Sequence, residues 1–117
     1  MKRVAFIICS MALLMSLSAC SSSDALTLAR QACTYVQSSI SLYNAASKNK
    51  DPKAANVQYA NALQDLRKAE PLASIAAGED TQWQALQATL SESSRVPEKN
   101  LIYSLTQQCQ AAQAGGV

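Results

Sequence analysis

Beyond the first two dozen residues, apolar positions recur at the spacing of a helix face. Leu26, Ala29, Cys33, Val36, Ile40 and Tyr43 advance by 3, 4, 3, 4 and 3, which puts them on one side of a single helix. Asp24 is placed to cap that helix, and Lys48 suits the negative end of its dipole. An alternating strand over residues 40–42 is too short to compete. Asp51-Pro52 then combines a cap with proline at the first helical position, a strong start signal. Ala55, Tyr59, Ala62, Leu66, Ala69, Ala73 and Ala76 repeat the pattern, with Leu63 alongside. Gly78 is expected to end this second helix in a left-handed conformation. Pro71 is expected to kink or break it near Glu70, because proline removes a backbone donor and clashes with the preceding turn.

Asp80 or Thr81 can cap a third helix carrying Trp83, Leu86 and Leu90 and ending among the serines at 91–94. A fourth is expected from Val96-Pro97, carrying Leu101, Ile102, Leu105, Cys109 and Ala112. The glycine-containing tail, residues 114–117, should fray.

The first 20 residues have a different pattern. Lys2 and Arg3 precede an apolar run, residues 4–17, interrupted only by Ser10 and Ser16. Fourteen residues fall short of the roughly 20 that span a bilayer and fit a signal-peptide core. The run ends Leu17-Ser18-Ala19-Cys20, and Ser21, Ser22, Ser23 and Asp24 follow. Here the chain resembles bacterial lipoprotein precursors. The resemblance implies that a signal peptide, residues 1–19, is cut away and that Cys20 receives the lipid on its sulfur. It also implies that Ser rather than Asp after the cysteine agrees with outer-membrane sorting where the host has two membranes. An ordinary signal peptide cut near Ala19 and an uncleaved helix are the alternatives. Two or more acyl chains anchor stably where one holds only marginally. Residues 20–23 would then form the lipidated cysteine and a serine tether of roughly 10–13 Å if extended. The bundle, residues 24–113, would sit close to the headgroups.

Removing 19 residues from 117 leaves 98, and removing Lys2 and Arg3 leaves eight basic against eight acidic side chains. The formal +2 of the whole chain thus belongs to the signal. A neutral domain is a poor candidate for nucleic acid, and no such partner is expected. Of four cysteines, Cys9 leaves with the signal and Cys20 is taken by lipid. Cys33 and Cys109 remain, and in an exported chain they are expected to pair; two separate buried thiols are the alternative. A bridge between them needs Cα atoms within about 7 Å. One continuous leg through helices three and four would carry Cys109 roughly 40 Å above the base, with Cys33 near 13 Å, so the chain must reverse near Arg95. The expected fold is an all-α, up-down-up-down helical bundle with unequal helices, stapled by one disulfide. Its 18 mature-chain alanines permit close helix approach but bury little area each.

Candidate chemistry is sparse. With no histidine in the chain, Ser-His-Asp catalysis and histidine-ligated metal are excluded. Ser47-x-x-Lys50 matches a penicillin-binding motif by chance, since it closes a helix instead of opening one and lacks its partner motifs. Neither a cofactor nor a metal is expected, and no enzyme activity. Lys48, Lys50 and Lys53 cluster in the first turn, either as a solvated turn or as a basic tip for an acidic partner or polymer. Glu79 and Asp80 read as helix-start residues. Trp83 is a core anchor or, alternatively, a contact to the membrane interface. Tyr43 and Tyr59 belong to the seams, while Tyr35 and Tyr103 fall off them and could line a shallow groove. The functional expectation is a membrane-anchored envelope lipoprotein with a non-catalytic binding, structural or accessory role toward an unknown envelope protein or polymer. A carrier of small apolar molecules or lipid, held between alanine-lined helices, is the alternative.

Overall fold

Two 28-residue helices, α1 (Ser21–Lys48) and α2 (Pro52–Glu79), form an antiparallel hairpin in the computed structural model, which describes residues 21–116, with side chains from residue 24. Their register is set by three contacts. Ser39 Oγ donates to the Ala62 carbonyl at 2.6 Å, Ser38 Oγ donates to Asp65 Oδ2 at 2.6 Å, and the Tyr43 and Tyr59 rings meet edge-on at 5.1 Å. The same register sets Val36 level with Leu66, Ala32 with Ala69, Ala29 with Ala73 and Ala25 with Ala76. All eight are buried. Small side chains at matched levels let the two backbones approach closely, so the seam is sealed by alanine methyl groups.

A short hairpin covers one half of the long one. A 3₁₀ turn (Thr81–Trp83) leads into α3 (Gln84–Glu92), and a second (Glu98–Asn100) precedes α4 (Ile102–Gln113). The third helix packs on α2 and the fourth on α1. Direction follows from paired contacts: Arg30 with Ala112, Cys33 with Cys109, and Ser39 with Glu98. As α1 ascends, α4 descends, which makes the bundle up-down-up-down with two long and two short helices. Leu66, Leu86, Leu90 and Leu105 fill the space between the hairpins; each contributes about 1.5–3 kcal/mol when buried. Beyond Ser39, nine residues of α1 rise a further 14 Å or so as a bare two-helix tip.

Several expectations need correction. The α1 stripe is wider than one row: Ala29, Val36 and Tyr43 lie on it as expected, but Ala25, Ala32, Ser39 and Ala46 are buried beside them. This helix has two partners, α2 and α4, and so buries a broader arc. Residues 21–23 are already helical, so they are not an extended tether, and Asp24 lies inside α1 and not at its cap. Pro71 does not break α2, which continues to Glu79. Its ring faces solvent, where water can satisfy the carbonyl left free one turn earlier, and the buried Ala69 and Ala73 hold the helix through.

Gly78 is helical and exposed. Positive φ occurs at Gly115 (97°) and Gly116 (83°) instead. Asp80, extended at φ −144°, closes α2 with its N–H on the Ala76 carbonyl and opens the next turn with its carboxylate on Gln82 N. No left-handed residue is needed there. At the end of α4, Gly115 N donates to Ala112 O at 3.2 Å and Gly116 N to Ala111 O at 2.8 Å. That pairing is a Schellman motif, in which a left-handed glycine satisfies the last carbonyls of α4. The fourth helix begins at Ile102, later than Val96-Pro97, because the chain first makes the 3₁₀ turn.

Candidate functional site

Residues 1–20 lie outside the described region, and Cys20 with them. What the structure describes is the bundle from Ser21 onward, and four places in it combine sequence signal with chemistry.

Cys33 and Cys109 form a disulfide, Cα to Cα 5.4 Å, across a separation of 76 residues. The α1 and α4 helices bring them together and both are buried in the core. One turn earlier on α1, Arg30 Nε donates to the Ala112 carbonyl at 3.0 Å and Nη2 to the Gln113 carbonyl at 3.4 Å. A guanidinium at the carbonyl end of α4 adds a second donor to Ala112 and one to Gln113, and suits the dipole. This bridge is structural: neither sulfur is exposed to a reaction partner.

A second group joins the turn before α4 to the long hairpin. Ser39 is fully buried, and its hydroxyl lies within hydrogen-bond reach of both the Ala62 carbonyl and the Glu98 carboxyl. Burial raises the Glu98 carboxyl above the ordinary range; the Ser39 hydroxyl pulls it back and the Asp65 charge raises it further, with a net upward shift. Tyr43 is raised as well, by burial and then by Tyr59 and Glu98. The arrangement can store a proton and fasten a loop. It does not form a nucleophile, since the Ser39 oxygen is sealed from solvent. Sequence reading passed over both residues: serine scores as polar on a helix face, and Glu98 is separated from Ser39 by 59 positions.

The third place is the tip. Lys48, Lys50 and Lys53 are all exposed around the α1–α2 turn. The turn itself is organised by neutral and acidic neighbours: Asp51 Oδ1 accepts from Lys53 N at 3.1 Å, Asn49 Oδ1 from Asp51 N at 3.0 Å, and Asn49 Nδ2 donates to Gln58 at 3.1 Å. Among the described residues no carboxylate lies within ion-pair distance of the three ammonium groups; the ion pair seen is Arg95 with Glu92. The tip therefore carries net positive charge, three ammonium groups against the Asp51 carboxylate.

The fourth place is Trp83, in the turn before α3 and only 3% exposed. It is a core residue, and so buried an indole offers lipid almost no surface. Tyr35 and Tyr103 are exposed on different helices, α1 and α4; Tyr103 accepts a hydrogen bond from Gln107 Nε2 at 2.8 Å. Glu79 and Asp80 close α2, and Asp80 caps the following turn. Among the described residues no set of three Cys, Asp or Glu gathers to hold a metal. No helix among them is long and apolar enough to cross a membrane. Comparison of the chain with protein-family models, with curated proteins and with solved structures finds no match.

Proposed function

We propose that this chain is a lipid-anchored protein of the bacterial envelope whose helical bundle serves a non-catalytic binding, structural or accessory role. The observation that carries the reading is Leu17-Ser18-Ala19-Cys20 at the end of the apolar run, with helical backbone present from Ser21. With lipid on Cys20, the bundle has no spacer and is held against the membrane at the base of α1. Twenty-seven steps of helix rise then lift the lysine turn about 40 Å from the anchor. That distance and the net positive charge of the turn, from Lys48, Lys50 and Lys53 against Asp51, suit capture of an acidic envelope protein or polymer. The sealed alanine seam favours this role over carriage of an apolar molecule between α1 and α2.

Two measurements test the reading. Radiolabelled palmitate should enter the wild-type protein and not Cys20→Ser; equal labelling of both overturns lipidation at that residue. A photo-crosslinking residue at position 50 should trap an acidic partner in intact cells, and Lys48→Gln with Lys53→Gln should remove the adduct. Adducts that persist in the neutralised tip exclude a charge-directed partner there.

A further inference from the structure

The short hairpin stops at the level where the Glu98 carboxyl reaches Ser39, while α1 and α2 run on to the lysine turn. Ser39 and Tyr43 are one turn apart on one face of α1, and Ala62 and Tyr59 are one turn apart on one face of α2. At the lower level this face is closed, since Ser39 and Ala62 are both fully buried. One turn higher it opens. The Tyr43 and Tyr59 rings, edge-on at 5.1 Å, are half-buried, and so is Leu63, one turn from Tyr59 on α2. The packing face of the four-helix region thus continues onto the bare tip as a shelf of two tyrosines and a leucine. Lys48 lies five residues beyond Tyr43, a rise of about 7.5 Å, so the shelf ends at the positive turn.

Shelf and turn together narrow what covers the tip. Rows of side chains at spacings of three and four residues receive the ridges of another helix, and at the level below this face already packs against α3 and α4. Tyrosine supplies large contact area and is enriched among the residues that carry interfaces. The turn holds three ammonium groups against the Asp51 carboxylate, so the surface complementary to it is acidic. A flexible polyanion would meet the lysines and leave the tyrosines bare. An apolar molecule would meet the tyrosines and leave the charge unused. One helix of about ten residues, at about 1.5 Å per residue, is long enough to do both. We propose that Tyr43, Tyr59 and Leu63 with the lysine turn dock one acidic amphipathic helix of a partner protein. This inference rests on the reading of the turn as the capture site of an acidic partner, and it selects a protein helix over a polymer.

The probe is a fluorescein-labelled peptide of three Leu-Glu-Glu-Leu-Leu-Glu-Glu heptads, set against a scrambled peptide of the same composition whose leucines share no helix face. Anisotropy should show saturable binding of the amphipathic peptide to the full-length protein and much weaker binding of the scrambled one. Leu63→Asn should weaken the amphipathic peptide about tenfold, in keeping with the burial of one leucine. Asn56 is exposed and lies seven residues from Leu63 on the same face of α2. Asn56→Leu should therefore tighten the amphipathic peptide severalfold and leave the scrambled one unchanged, which keeps the test decisive if Leu63→Asn does not fold. Lys48→Gln with Lys53→Gln should weaken both peptides. Binding that is lost in the lysine variant but unmoved by Leu63→Asn and Asn56→Leu would overturn the helix and leave the charge-directed reading standing. Full binding to the lysine variant would overturn the charge-directed reading and the proposal with it. Equal binding of the two peptides, or no saturable binding to the wild type, would overturn the proposal as well.

Discussion

The Ser39 hydroxyl carries one proton and meets two acceptors, the Ala62 carbonyl and Glu98. Both contacts can be satisfied together when Glu98 is protonated: the carboxyl then donates to Ser39, and Ser39 donates to Ala62. With Glu98 ionised, Ser39 can donate to only one of the two, and the carboxylate charge faces Asp65. This single contact ties the turn before α4 to both long helices.

Stability should therefore depend on the Glu98 proton. Its carboxyl is raised in the folded state, so the fold binds that proton more tightly than the unfolded chain does. The stabilisation is fully present below the ordinary glutamate value of about 4.3 and is lost as pH rises through the higher folded value. The urea midpoint should fall across that interval in the wild type and stay flatter in Glu98→Gln. A wild-type midpoint that falls there no more than the variant's would show that Glu98 does not govern the dependence.

Removing the other partner has a fixed cost. Ser39→Ala takes the hydroxyl away from the part-buried Glu98 carboxyl and should destabilise by about 1–3 kcal/mol. Combined with Glu98→Gln, the loss should be less than the sum of the single losses, because both changes act on one network. Additive losses in urea unfolding would separate the two residues.

The disulfide spans 76 residues, and in the chain-entropy account its loss costs roughly 4–5 kcal/mol. For a fold whose total is on the order of 5–15 kcal/mol, Cys33→Ser with Cys109→Ser should lower the thermal midpoint sharply. Reductant should reproduce the effect in the wild type and change nothing in the variant.

Glycines 78 and 115 should respond in opposite directions. At Gly78 a new methyl meets nothing within 4 Å and the backbone is helical, so Gly78→Ala should add about 0.5–1 kcal/mol. At Gly115 the left-handed φ of 97° makes alanine unfavourable by roughly 1–2 kcal/mol. Calorimetric midpoints that move the same way for both would contradict this assignment.

Core truncation tests the shared packing of the two hairpins. Leu66 is fully buried, and Leu66→Ala should cost about 2–5 kcal/mol. A loss well under that range in chemical denaturation would mean that the hairpins collapse to refill the space.

The number of helices, their approximate lengths and the pairing of Cys33 with Cys109 were all legible in the sequence. Each depends on local spacing or on simple chain length. The α2 seam was read correctly because its apolar row faces mainly one partner; the α1 row was read one position too narrow because that helix serves two. Pro71 and Gly78 were misread for a shared reason: propensity describes an isolated helix, whereas exposure of the proline and packing on either side of it decide whether a helix survives. Ser39 with Glu98 could not be found from the chain alone. The two lie far apart in sequence, and the value of their contact comes from burial, which only the assembled hairpins provide. The sequence by itself determined an all-helical chain with a disulfide, and it carries at its N-terminus a resemblance to lipoprotein precursors. Tertiary structure decided where the polar groups are trapped, because a hydrogen bond becomes specific only when water has been excluded from around it.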